Sequence, residues 1–278
     1  MTDAPITIIQ PRSGSLRRSL REIWEFRELV RVLAVRNIKV RYKQAVLGMA
    51  WAGIQPFATM VIFSLFFGKL AGLDQKTGEV PYPVFTFAGL VPWTFFSVAM
   101  GLSANSLIEA QNIITKVYFP RIVLPMIPIV SGLVDLAISL AILVGIMLWF
   151  GFIPGVTFLA IIPLVLFTSV TIFAFGLWFS ALNAHYRDLR YIVPFGLQMA
   201  MFLSPVVYPT GLIQDGTLRM VYSLNPLVGI IEGFRWAIIP GTPFPGDALW
   251  IAAATVLLVL AGGLAFFPRM ERTFVDVV

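Results

Sequence analysis

The chain contains no cysteine and a single histidine, and only 14 of its 278 residues are acidic. Without cysteine there is neither a disulfide framework nor a thiolate metal site. His185 lies in a basic loop with no second ligand type beside it, so no metal centre is read. The GxxxxGK[ST] phosphate cradle, HExxH and the nucleophile elbow are all missing, which argues against ATP hydrolysis by this chain, zinc proteolysis and serine acyl transfer. An integral-membrane enzyme acting on lipid-linked sugars needs acids gathered near the interface. Here they are scattered, with Glu109, Asp188 and Glu271 each solitary among cationic neighbours. A secondary transporter would carry paired broken spans with buried ions, and only Asp135 qualifies. No apolar stretch with a small-residue cleavage site precedes Arg36, so insertion is expected to rely on the spans themselves.

What the chain has in abundance is apolar length. Hydrophobic residues make up 58%, charged ones 12%, and the mean hydropathy is +0.87, more than the core of a soluble domain of this size requires. The net charge of +6 does not point to nucleic acid, because half of the 20 basic residues precede Met49 and sit beside the first apolar run. Anionic headgroups fit that placement better. The seam is Arg36 to Pro56: Arg36, Lys39, Arg41 and Lys43 are followed by an uncharged stretch from Ala45 to Gly68. At about 1.5 Å per residue that stretch crosses a hydrocarbon core of about 30 Å.

Residues 1–14 read as a flexible tail. Over 15–43 the sequence predicts an amphipathic interfacial helix leading into the basic membrane entrance, with Trp24, Phe26, Val30 and Leu33 on one arc and Arg21, Glu22, Glu25 and Glu28 on the other. Six transmembrane helices are expected in 44–278, at about 45–69, 85–107, 122–150, 156–182, 191–208 and 248–267. Pro81 and Pro83 predict an irregular outer end for the second, and Phe150 to Gly155 a tight outside turn. This arrangement places sixteen lysines and arginines inside and four outside, so both termini are expected in the cytoplasm. Between the last two spans, within 210–241, the apolar run Asn225 to Gly241 is interrupted by Glu232 and Arg235 and is short for a crossing. It predicts short re-entrant outer helices, with Glu232 and Arg235 paired on one face. Asp135, mid-span, costs about 2.5 to 3.5 kcal/mol unless satisfied. Ser131 and Ser139 share its face and are the expected partners, and its role is open between helix–helix hydrogen bonding and pore lining.

Five stretches, in order, resemble the membrane permease subunits of type 2 ATP-binding-cassette exporters for polysaccharides, the group serving O antigen, capsule and teichoic acid. They are the RNIKVRYK run with Leu47, Gly48, Trp51 and Pro56; YFPRIVLP at Tyr118–Pro125; NAHYRDLRYIVP at Asn183–Pro194; SPVVYP at Ser204–Pro209; and NPLVGIIEGFR at Asn225–Arg235. Asn37, Gln44 and Ala45 depart from the family's pattern. The resemblance implies an all-α integral membrane protein of the bacterial inner membrane. It implies a homodimeric channel for lipid-linked polysaccharide and two copies of a separate nucleotide-binding subunit. ATP and magnesium would bind that partner, with no cofactor and no catalytic residue in this chain. Glu22, Glu25, Glu109, Lys116 and Arg121 would then transmit the partner's movement, and Asn225, Pro226, Glu232 and Arg235 would form an outer gate. For Arg121, Arg187 and Arg190 a purely topogenic charge is an equal reading.

The cargo chemistry follows. A carrier phosphate needs cations at the entrance, which Arg36, Lys39, Arg41 and Lys43 supply with Tyr42 beside them. Sugars need faces that stack without a fixed hydrogen-bond pattern; Tyr42, Trp51, Phe57, Trp93, Phe95 and Phe96 are candidates, though lipid contact is the ordinary role of most of them. The competing readings are a permease for drugs or simple lipids and, from another class, an enzyme or passive scaffold of glycan synthesis.

Overall fold

The computed structural model describes residues 24–43, 48–114, 119–186, 188–213 and 215–271. The expected tail, Glu22, Lys116 and Arg187 lie outside them. The described residues form helices and turns and no strand. We label the helices α1 (Arg27–Lys43), α2 (Trp51–Phe63), α3 (Tyr82–Glu109), α4 (Met126–Trp149), α5 (Ile161–His185), α6 (Leu189–Phe202), α7 (Gly216–Ser223), α8 (Pro226–Ile238) and α9 (Gly246–Glu271).

Among the described residues five segments are long and apolar enough to cross a membrane: Gly48–Leu70, Tyr82–Glu109, Arg121–Trp149, Val156–His185 and Gly246–Glu271. The stretch 191–208 is not among them. Its helix, α6, has 14 residues, about 21 Å at the α-helical rise and short of a full crossing. Pro205 ends the helical tendency, since proline lacks an N–H and disfavours helix in the residue before it. The chain then runs as an irregular strap over 203–209. The outer end of α3 differs from expectation in the opposite sense. It is helical from Tyr82, because Pro83 falls in the first turn, where no backbone N–H is required.

α3 is the axis of the bundle. Of its most apolar window 78% is buried, against 17–33% for the other four spans, and α2, α4, α5, α6 and α8 all pack on it. In lipid, apolar area does not drive helices together, so close packing and hydrogen bonds must. The sequence meets this with small residues. At Gly89 a Cβ would stand 2.9 Å from both the Val206 carbonyl oxygen and Arg235 Nη2. α5 and α9 are joined by Trp178, which stacks on Phe266 at 4.6 Å and donates to the Val259 carbonyl at 2.9 Å.

The turn expected at Phe150–Gly155 is built as a glycine-terminated helix end. Gly151 has φ +78°, its N–H donates to the Leu148 carbonyl at 3.1 Å, and that of Phe152 to Met147 at 2.9 Å. At the opposite end of the bundle, taken as the inner end from the lysine and arginine bias, α1 packs against the start of α4. Val30, Leu33 and Ala34 share a buried cluster with Ile122, Val123 and Phe267. The apolar arc of α1 thus turns onto protein. Trp24 remains 70% exposed, with the Arg27 guanidinium 5.2 Å above its ring.

Candidate substrate cavity

The four cations that stand together in sequence do not stand together in space. At 3.6 residues per turn, Arg36, Lys39 and Lys43 recur on one face of α1 while Arg41 points about 140° away from Arg36. Lys39 and Lys43 are exposed. Arg36 borders a cavity of about 60 Å³ together with Ser106 and Glu109. Arg41 alone turns into the bundle, where its Nη1 meets Asp135 Oδ2 at 2.6 Å. The Tyr42 hydroxyl donates to the other carboxylate oxygen. Burial, and after it the Asp135 carboxylate, pushes the Tyr42 phenol above its usual range, so it stays a donor at physiological pH.

Asp135 is therefore satisfied by α1 and not by the serines expected to hold it. Ser131 donates to the Pro128 carbonyl at 3.1 Å, and Ser139 to that of Ala52 at 3.4 Å. Hydroxyls three or four residues from a helical carboxylate meet competition from backbone carbonyls nearer to them. The pair is not sealed: side-chain exposure is 32% for Arg41 and 21% for Asp135.

Both residues open onto a cavity of about 750 Å³ between α2, α3, α4 and α6. Of the aromatics proposed for a sugar path, Tyr42, Trp51, Trp93 and Phe95 line it, and Phe57 and Phe96 do not. Neutral polar groups, Gln55, Thr59, Thr94 and Ser97, add hydroxyl and amide contacts. Arg41 and Asp135 are the only charged residues on its described wall. The chemistry available is an apolar and aromatic trough with one cation–anion pair at its inner end.

The second acid–arginine pair sits at the outer end. Arg235 Nη1 meets Glu232 Oε1 at 3.1 Å, as their spacing predicts. The sequence does not reveal how deep this lies. The Arg235 side chain is 2% exposed, its Nη2 donates to the Val206 carbonyl at 2.8 Å, and its guanidinium carbon lies 3.7 Å from the Phe85 ring centroid. The strap is held twice more: the Tyr82 hydroxyl donates to Val207 at 2.6 Å, and Asn225 Nδ2 to Leu203 and to Ser204 Oγ at 3.0 Å each. Asn225 Oδ1 also accepts from Leu227 N–H at 3.1 Å, capping α8, with Pro226 in the first turn. SPVVYP and NPLVGIIEGFR are thus two halves of one clamp around Gly89. α8 is buried along nearly its whole length, as a core element beside α3, α5 and α9.

The inner loops carry structural ties as well. Arg121 Nε approaches Glu271 Oε1 at 3.8 Å, joining the YFPRIVLP turn to the end of α9, so Glu271 is not solitary. Asn183, within the NAHYRDLRYIVP stretch, donates to the Ala104 carbonyl and to Asn105 Oδ1 at 2.9 Å each, pinning α5 to α3. Nothing but an asparagine in an otherwise apolar helix end signalled that role. Glu25 lies on the exposed chain just before α1.

Comparison with known proteins gives these features a context. A family model described as ABC-2 type transporter matches residues 28–239. An O-antigen export system permease protein, RfbA of Myxococcus xanthus, is 31% identical over 92% of this chain and 97% of its own length. RfbA of Klebsiella pneumoniae is 27% identical over 90% and 95%. The polysialic acid transport protein KpsM of Escherichia coli is 26% identical over 87% and 93%. The matched region runs from α1 through the end of α8, taking in both the cavity and the clamp, and the chain belongs to the ABC-2 type transporter family.

Proposed function

We propose that this chain is the channel-forming permease subunit that carries a polysaccharide, attached to a carrier lipid, from the cytoplasmic to the outer face of the bacterial inner membrane. ATP hydrolysis on a separate nucleotide-binding subunit drives it. The observation that carries the reading is the cavity of about 750 Å³: it combines aromatic walls suited to sugar rings with one arginine at the inner end suited to a phosphate. The export functions in the relatives' names support the same substrate class.

In this reading two copies of the chain face each other across the path and two copies of the ATPase bind from the cytoplasm. Both termini lie inside, and α6 with the strap after it serves as a sixth, broken crossing. Glu25, Glu109 and Arg121 receive the ATPase's movement, and the same role is assigned to Glu22 and Lys116, which lie outside the described residues. The tie between Arg121 and Glu271 supports this, since a push on that loop reaches α9 directly. α7 and α8 close the outer mouth. Asn225, Pro226, Glu232 and Arg235 hold that closure in place.

The test is deletion of the gene followed by leaflet-specific labelling of the carrier-linked glycan. Finished polymer accumulating on the cytoplasmic side, with an ATPase co-purifying with the restored protein, is the expected result. Absence of any polymer assigns the chain to synthesis or assembly instead, and normal polymer at the surface assigns it a lipid or drug substrate.

A further inference from the structure

The Arg41 guanidinium and the Tyr42 phenol are adjacent on α1 and converge on one small volume at the inner end of the cavity. Guanidinium can only donate, and Tyr42 keeps its proton, so together they make a seat for an oxyanion. The carboxylate of Asp135, reaching across from α4, fills that seat with both oxygens. It lies within the cavity wall and is partly open to it.

We propose that Asp135 is a built-in stand-in for the phosphate of the carrier lipid: an arriving phosphate takes Arg41 and Tyr42 over from it. The inference rests on the carrier-lipid reading above and adds to it the identity of the binding cation and the residue that limits its grip. Of the four cations at the entrance, Arg41 alone borders the cavity. A phosphate held there by arginine with no counter-charge would be held tightly, and a transported head group must also leave. With Asp135 a few ångströms away, every bound phosphate faces a competing anion, which keeps its binding weak enough to reverse. Asp135 is thus a specificity and release residue for the head group. The walls set by Trp51 and Trp93 receive the apolar and sugar portions.

The experiment is equilibrium binding of farnesyl pyrophosphate to the purified full chain in detergent, with inorganic pyrophosphate and phosphatidylglycerol as parallel ligands. Asp135→Asn, close to isosteric, is expected to tighten farnesyl pyrophosphate binding by about tenfold through loss of the competing charge. Asp135→Ser, smaller and equally neutral, must show the same direction, and Arg41→Gln must abolish saturable binding. Elution volume and thermal unfolding in the same detergent report whether each variant is folded. Tightening with inorganic pyrophosphate as well supports the seat as a reader of phosphate alone; tightening confined to the farnesyl compound supports a joint head-and-tail site. Weaker or unchanged binding in folded Asp135→Asn and Asp135→Ser overturns the inference, because an aspartate that merely orients Arg41 gives that result. A response to phosphatidylglycerol only overturns the carrier-lipid assignment of the seat. The two readings fail separately: if surface glycan is unaffected by gene deletion, polysaccharide export falls even where Asp135→Asn tightens binding. If export is lost on deletion but Asp135 leaves binding unmoved, only the stand-in falls.

Discussion

Two of the arginine–carboxylate pairs among the described residues are built in opposite ways. Arg235 and Glu232 are three residues apart on one short helix, and the arginine is 2% exposed, stacked on Phe85 and bonded to the Val206 carbonyl. Arg41 and Asp135 come from elements 94 residues apart, and they are 32% and 21% exposed on the wall of a large cavity. A charge sealed among fixed partners can only hold structure, since exchanging any partner leaves it unsatisfied in a poor dielectric. A charge pair at a cavity wall can exchange a partner for a ligand. The outer pair therefore acts by holding the closed outer end in place, and the inner pair by meeting the cargo.

Breaking the sealed pair should have the largest effect. Arg235→Ala leaves Glu232 and the Val206 carbonyl without their partner, a loss of about 3 to 5 kcal/mol by analogy with other broken buried pairs. The expected outcome is failure of the purified protein to elute as a folded species. Next comes Gly89→Ala, whose new Cβ would stand 2.9 Å from backbone at Val206. Overpacking of this kind costs about 1 to 3 kcal/mol, read as a lowered Tm in detergent. Tyr82→Phe removes one buried hydrogen bond to the strap and should lower stability by about 1 kcal/mol, with export reduced only in proportion to folded protein. A smaller effect on stability is expected for Asp135→Asn, which keeps the shape and one of the two acceptor oxygens at a partly exposed site. Its unfolding temperature should match the parent within a degree or two, as for substitutions away from sealed features, while export per folded molecule falls. Lys39→Ala, on the exposed face of α1, should leave unfolding unchanged.

How much of this was legible in the sequence depends on which interactions are local. Five spans, the tight turn at Phe150–Gly155 and the Glu232–Arg235 pair follow from runs and spacings within one element. The departures come from contacts distant in sequence. Asp135 looked to its own helix for partners, and its partners lie on α1. The basic cluster reads as one patch along the sequence, although helical periodicity turns Arg41 away from Arg36, Lys39 and Lys43. Tyr191–Tyr208 has the apolar composition of a span, but Pro205 cuts the helix and leaves the carbonyls of Val206, Val207 and Leu203 to Arg235, Tyr82 and Asn225. Glu271 read as solitary because Arg121 is 150 residues earlier in the chain.

The most direct test of the division between the two pairs is to measure thermal unfolding and export per folded molecule, side by side, for Asp135→Asn and Arg235→Lys. Lysine at 235 retains the charge but loses the planar fork and the stack on Phe85. The account predicts that Asp135→Asn unfolds like the parent yet exports poorly, whereas Arg235→Lys unfolds at a lower temperature and each molecule that folds exports normally. The reverse pattern, with stability lost at Asp135 and export lost without instability at Arg235, would contradict it.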